Sequence, residues 1–238
     1  MKRDRLRWLT ARPIAHRGLH DISRGRPENS LAAFEAAIAA HYAIECDLHP
    51  SADGVPMVFH DLTLERLTGD PRSIRDLTAA ELGDLRLGGT PEWIPTFDDL
   101  LALVGGRVPL VIELKHVPHR DAALAWEVVE RLKRYAGPAA VMSFSGAQIA
   151  EVRAANARLP RGLTAQGNYK RGFGLFRLAR RLDVDFVSYR AGDLPTPMPI
   201  VARQLFGVPL ICWTVRTPEE LAKAMRWTDQ VTFEGFTP

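Results

Sequence analysis

Short apolar runs alternate with helix-length amphipathic segments along almost the whole of this chain. The runs fall at 13–17, 43–48, 109–114, 139–144, 161–166, 185–189, 209–215 and 230–234. Helical periodicity marks 30–41, 97–104, 120–135, 146–157, 173–182, 198–206 and 219–226. Asn29 before Ser30-Leu31 reads as a helix start, and Thr217-Pro218-Glu219-Glu220 supplies a cap, a first-turn proline and N-terminal acids. Strands separated by helical crossovers pair in parallel. Eight such units predict an α/β fold, a (β/α)8 TIM barrel forming a single domain over 1–238, close to the length of ~250 residues typical of that barrel. The competing architecture, an open doubly wound sheet, lacks support because neither a GxGxxG nor a P-loop pattern is present.

Two irregularities modify the barrel. Residues 50–96 separate the second run from its helix and are rich in turn residues such as Gly69-Asp70-Pro71 and Gly88-Gly89. An insertion after a barrel strand lies on the C-terminal rim, where active sites of this fold are built. The eighth run also has no helix after it, so the segment 3–9, with Leu6, Trp8 and Leu9, is expected to cover the barrel face left open.

The stretch 44–61, IECDLHPSADGVPMVFHD, reads as strand, turn and returning strand. Alternation sends Glu45, Asp47 and His49 to one face and Ile44, Cys46 and Leu48 to the other. A two-residue turn at Asp53-Gly54 would place Asp47 opposite His60. The first run delivers His16 and Arg17 to the same rim, and the third delivers Glu113 and Lys115. Taken singly these have plain explanations: a Glu113–Lys115 ion pair, Arg17 pairing with Glu45, or a core histidine. Their convergence on the functional end of the barrel favours a site. Three carboxylates without sulfur ligands (Glu45, Asp47, Glu113) suit one hard divalent cation, Mg²⁺ or Ca²⁺. His16 and His60 suit an acid–base pair near neutral pH, and Arg17 and Lys115 suit a phosphate. His49 is a candidate for the mouth and His20 for substrate contact; His41, His116 and His119 read as helix-end or loop residues.

Charge and composition exclude several classes. A net charge of +3 is far from a nucleic-acid footprint and favours small anionic molecules. No window reaches the 18 apolar residues of a membrane span, and MKRDRLRWLTARP has no apolar core of a secretory signal. Lys170, Arg171, Arg177, Arg180 and Arg181 interleave with Phe173, Leu175, Phe176, Leu178 and Leu182. This allows at most a peripheral membrane contact, and an amphipathic helix packed inward is the simpler reading. Cys46 and Cys212 are expected to be buried, unbridged and non-catalytic, which fits a reducing cytoplasm. Oligomeric state has no sequence signal.

The motifs His16-Arg17-Gly18, Arg26-Pro27-Glu28-Asn29-Ser30-Leu31-Ala32-Ala33-Phe34, Ile44-Glu45-Cys46-Asp47-Leu48, Asp53-Gly54-Val55-Pro56-Met57-Val58-Phe59-His60-Asp61 and Ile112-Glu113-Leu114-Lys115 resemble the glycerophosphodiester phosphodiesterases in order, spacing and combination. The likeness continues more weakly through Ile94-Pro95-Thr96-Phe97, Ser143-Phe144 and Cys212-Trp213-Thr214-Val215. It implies a TIM barrel that hydrolyses glycerophosphodiesters to sn-glycerol 3-phosphate and an alcohol. It also implies His16 and His60 as general acid and base, and Glu45, Asp47 and Glu113 as ligands of the divalent cation. Arg17, Lys115, Trp213 and Glu28 match substrate-binding or supporting positions. Relatives end near an Ile-Thr-Asp-x-Pro pattern, whereas this chain has Val231-Thr232-Phe233-Glu234-Gly235-Phe236, so no role is assigned there. A lysophospholipid substrate on the same site would need an apolar groove, for which Leu82, Leu85, Leu87 and Trp93 are candidates. A silent phosphate- or lipid-binding barrel would have no need of both histidines.

Overall fold

The computed structural model describes residues 2–116, 123–167 and 169–238. Among these, eight parallel strands close into a barrel: β1 (Ile14–Ala15), β2 (Ala43–Pro50), β4 (Leu110–Leu114), β5 (Ala139–Ser143), β6 (Arg161–Ala165), β7 (Phe186–Arg190), β8 (Leu210–Val215) and β9 (Gln230–Phe233). Pairing of β1 with both β2 and β9 completes the circle. The remaining strand, β3 (Pro56–Val58), returns antiparallel along the end of β2. The eight expected runs are these eight strands. The expected helices are present as Leu31–Ala39, Phe97–Val104, Leu124–Leu132, Gly146–Ala155, Tyr169–Leu182, Pro197–Phe206 and Pro218–Ala224. The start of the segment expected at 120–135, and His119, lie outside the described residues. So do the side chains of Lys170, Arg171, Phe173 and Leu175 in the basic segment.

Strand alternation divides the core in two. Ile44, Cys46, Leu48, Ile112 and Leu114 face outward under the helices with Phe34, Leu100 and Val128. Ile14, Ala43, Val111, Ala140, Phe186 and Ile211 face inward at the start of the strands, where Leu6 and Leu9 pack onto them. The N-terminal segment therefore plugs the bottom of the barrel and does not cover its side. Small lumen residues make room for it. Phe186 lies over Gly162, where a Cβ would stand 2.4 Å from the ring. The side between β9 and β1 is closed instead by Phe236, whose ring lies 5.8 Å from Phe233, itself 4.9 Å from Tyr42.

A buried ion pair secures the plug. Arg161 and Asp185 are 3% and 2% exposed, and the Arg161 backbone N–H donates to Asp185 at 3.1 Å. The Arg161 guanidinium donates to the carbonyls of Ala157 and Asp183, while Arg5 of the N-terminal segment binds the Asp185 carboxylate. Asp185→Ala removes the acceptor of the buried Arg161 N–H and of Arg5, leaves the Arg161 guanidinium with Asp183 at 3.5 Å, and should cost about 1–3 kcal/mol in urea unfolding.

The insertion departs from expectation at its first turn. Observed partners are Leu48↔Val58, His49↔Met57 and Pro50↔Pro56, one residue out of the expected register, so Asp47 meets Phe59. The turn is a three-residue loop, Ala52-Asp53-Gly54, closed by Ser51 N–H to the Val55 carbonyl at 2.9 Å. A two-residue type I′ turn needs positive φ at both Asp53 and Gly54; only Gly54 has it, at +82°. The Asp53 carboxylate is held by Ser51 Oγ and the Ala79 N–H. Beyond the hairpin the insertion builds its own core from Met57, Phe59, Leu64, Ile74, Leu77, Leu82, Leu87 and Ile94. Leu82 and Leu87 are thus buried, Leu85 packs beside them, and only Trp93, 40% exposed, remains at the surface. These four residues do not form the apolar groove a lysolipid would need.

Helix starts follow the capping rules, with one change. Ser30, and not Asn29, caps Leu31–Ala39 by accepting from Ala33 N–H. Thr217 caps Pro218–Ala224 as expected. Cys46 and Cys212 are free thiols, each 0% exposed, packed in the outer core. No helix among the described residues is long and apolar enough to cross a membrane.

Candidate active site

The strand ends at the C-terminal rim converge on a cavity of about 210 Å³. One wall carries His16, Arg17, Glu45, Asp47, Glu113 and Lys115, and His60 reaches it from the hairpin. Met142, Phe144 and Trp213 form an apolar wall. Phe144 is 46% exposed and meets Trp213 edge-on, with ring centroids 5.6 Å apart.

Adjacent strands bring the acids together: Asp47 and Glu113 are cross-strand partners on β2 and β4, and Glu45 lies two residues before Asp47 on the same face. Carboxylate oxygens of all three fall within 4.8 Å of one another, and each residue is buried. Burial raises Glu45 well above the usual carboxylate range, and the neighbouring Asp47 and Glu113 raise it further. Burial also raises Glu113, despite Lys115 beside it. Burial opposes ionisation of Asp47 too, but Lys115, His60 and Arg17 hold it below the usual range. Lys115 Nζ lies 2.8 Å from Asp47 and also binds Glu113. Three acids facing two cations leave a surplus of negative charge in a dry place. A buried all-oxygen donor set with that surplus fits a hard divalent cation.

Arg17 adopts a left-handed backbone, φ +55°, which costs energy and is held by three contacts. Its N–H donates to Glu45 at 3.0 Å, its guanidinium donates to Glu28 at 2.7 Å, and its Nε lies 3.4 Å from Asp47. The next residue, Gly18 (φ +80°), lies so close to the helix Leu31–Ala39 that a Cβ would sit 2.9 Å from Ala33. Glu28 does not line the cavity. It lies behind Arg17 and is shared with Arg66.

Both cavity histidines are held the same way. His16 Nδ1 binds the Glu234 carboxylate, which Arg216 holds at 2.6 Å. His60 Nδ1 lies 2.6 Å from Asp61, which Arg66 holds at 2.6 Å. Each chain of arginine, carboxylate and imidazole occupies Nδ1 and leaves Nε2 for chemistry. Burial lowers His16, against the pull of Glu234, and also lowers His60, against the pull of Asp47. In each ring burial favours the neutral form that a base needs, while the carboxylate at Nδ1 favours the protonated form that a general acid needs.

Other residues fall outside the expected places. His49 is buried beneath the insertion, not at the mouth: its Nε2 donates to the His60 carbonyl at 3.1 Å, and its Nδ1 accepts from Arg75 at 3.3 Å. Burial and Arg75 push its pKa down to about 4. His20 approaches Glu234 at 3.6 Å. His41 ends a helix with its carbonyl bound by Arg12, and His116 follows β4 in a loop. Asn29, read from sequence as a helix start, donates to Asp47 at 2.9 Å and supports that carboxylate. Glu234, Arg216, Asp61 and Arg66 were not assigned from sequence. The only signal for Glu234 was its place in a pattern where relatives carry aspartate.

A profile of the "Glycerophosphoryl diester phosphodiesterase family" matches residues 16–237. The chain is 30% identical over 171 residues to a Mycobacterium tuberculosis protein named "Probable glycerophosphodiester phosphodiesterase 1", covering 62% of this chain and 61% of that protein. It is 32% identical over 130 residues to a Caldanaerobacter subterraneus glycerophosphodiester phosphodiesterase, covering 51% and 52%. Thus the chain spans between half and two thirds of the length of these relatives. Among solved structures, a Thermotoga maritima glycerophosphodiester phosphodiesterase superimposes with TM-score 0.77 at 25% identity, covering 92% of each chain. An Oleispira antarctica phosphodiesterase in complex with the product sn-glycerol-3-phosphate gives TM-score 0.83 at 23% identity, covering 95% of this chain and 94% of that one. The profile match takes in both histidines and all three acids, and the chain belongs to the glycerophosphoryl diester phosphodiesterase family.

Proposed function

We propose that this protein hydrolyses glycerophosphodiesters to sn-glycerol 3-phosphate and an alcohol, using one divalent cation, Mg²⁺ or Ca²⁺, and two histidines. The observation that carries the reading is the meeting, in one cavity, of a buried three-carboxylate cluster, the basic side chains of Arg17 and Lys115 and two imidazoles held at Nδ1. Glu45, Asp47 and Glu113 hold the cation, which offsets charge on the phosphodiester oxygens. Arg17 and Lys115 orient the phosphate, and Trp213 bounds the substrate on the apolar side. Glu28 acts through Arg17. Nε2 of one histidine takes the proton of the glycerol 2-hydroxyl as its oxygen attacks phosphorus, closing a cyclic phosphate. Nε2 of the other gives its proton to the departing alcohol. Water then opens the ring with the roles exchanged.

A compact head-group alcohol is favoured over a lysophospholipid because the insertion's leucines are spent on its own core. Nucleic acid is no part of the reading, and any membrane contact is peripheral. The two unbridged buried cysteines support a reducing compartment such as the cytoplasm. A panel of glycerophosphodiesters and lysolipids, assayed by release of the alcohol or head group, tests the substrate class. Turnover of the glycerophosphodiesters should dominate; a lysolipid preference would overturn it.

A further inference from the structure

Arg66 stands on a short helix of the insertion, Glu65–Thr68, and does not line the catalytic cavity. Its guanidinium nevertheless holds two carboxylates that serve different parts of the site. Both terminal nitrogens donate to Glu28, at 2.9 and 2.7 Å, and Nε donates to Asp61 at 2.6 Å. Glu28 in turn accepts from Arg17 at 2.7 Å, and Asp61 accepts from Nδ1 of His60 at 2.6 Å. One planar fork thus joins the guanidinium assigned to phosphate with an imidazole assigned to proton transfer.

The fork is held from behind. Leu64, one residue before the helix, is buried in the insertion core, and the Leu67 carbonyl accepts from the Gly88 N–H at 2.6 Å. Glu92 ties the same insertion to the barrel by accepting from the Ala32 N–H at 3.0 Å. The Arg66 side chain is 48% exposed, and ion pairs open to water add little to stability. What the fork supplies is orientation, since a planar guanidinium bonded to two acids fixes both. Charge works in the same direction. Burial opposes ionisation of Glu28, yet Arg66 and Arg17 hold it below the usual range. Without Arg66 the whole Glu28 charge would fall on Arg17 and compete with a bound phosphate for its guanidinium. Asp61 would lose the contact that fixes its second oxygen, and with it the orientation of the His60 ring.

We propose that Arg66 is a positioning residue for the hydrolysis, setting the imidazole of His60 through Asp61 and the guanidinium of Arg17 through Glu28. This deepens the proposed function and rests on it. The test measures kcat on glycerophosphoethanolamine and the inhibition constant of sn-glycerol 3-phosphate, which reads the grip on phosphate without chemistry. Arg66→Gln should lower kcat and raise the inhibition constant, each by roughly tenfold or more. Loss of folded protein would lower kcat alone, so the paired readouts separate positioning from damage to the fold. Arg72→Gln, which removes a neighbouring ion pair of the insertion with Asp70, should leave both values unchanged. In an Asp61→Asn background, Arg66→Gln should lose most of its effect on kcat. In a Glu28→Gln background it should lose most of its effect on the inhibition constant. An Arg66→Gln protein with normal values, one changed in kcat alone, or double variants whose losses simply add would each overturn the inference while leaving the hydrolase reading in place. Absence of turnover by the wild type would overturn both.

Discussion

Replacing His16 or His60 by alanine should lower kcat on a glycerophosphodiester by roughly 10²–10⁴-fold, the usual contribution of a positioned acid or base. Each ring is fixed at Nδ1 by a carboxylate that an arginine holds in turn, so Nε2 needs no reorganisation to exchange a proton. If the pair acts as a unit, the double variant should lose little more than either single one. Divalent-cation affinity should change little, because neither ring belongs to the carboxylate cluster. A p-nitrophenyl phosphodiester leaves with little need of protonation. It should rescue the variant lacking the general acid far more than the one lacking the base, which identifies the acid. Near-normal turnover of a natural glycerophosphodiester by either alanine variant would reject the two-histidine mechanism.

The second large effect belongs to Glu45. Its carboxylate is fully buried, and burial with two like charges nearby resists ionisation, so the site is poised to take up a cation that relieves the repulsion. Glu45→Gln keeps the shape and the contact with the Arg17 N–H while removing one charge. Affinity for Mg²⁺ or Ca²⁺, read by calorimetry, should fall by about two orders of magnitude, since ligand charge count sets such affinities over decades. Saturating cation should restore part of the activity, in contrast with the histidine variants. Unchanged affinity would remove Glu45 from the ligand set.

Residues buried on both faces of a parallel sheet read as continuous apolar runs, which is why β2, β4 and β8 could be placed from sequence, and alternation assigned the lumen faces of β2 and β4. The same parity brought Glu45, Asp47, Glu113 and Lys115 to one face. Register within the hairpin was less legible. Asp53-Gly54 serves both a two-residue and a three-residue loop, and the choice is made by the contact of Asp53 with Ala79, far along the chain. His60 still reaches the cavity because β3 ends at Val58, so its position does not depend on strand parity. Ser30 and Asn29 are both good caps, and only the neighbouring Asp47 shows why Asn29 is used elsewhere. Glu234 meets His16 across 218 residues of chain, a pairing that exists only once the barrel closes. The N-terminal plug was misplaced for a similar reason: the apolar lumen floor that Leu6 and Leu9 cover is assembled from six different strands.

The most direct test is enzyme-coupled detection of sn-glycerol 3-phosphate released from glycerophosphoethanolamine. It should be run on purified protein before chelation, after exhaustive chelation, and after return of Mg²⁺ or Ca²⁺. Release should stop with the chelator and resume when one of these cations is returned. Release that persists at full rate after chelation, or no release under any metal condition, would contradict a metal-dependent glycerophosphodiesterase.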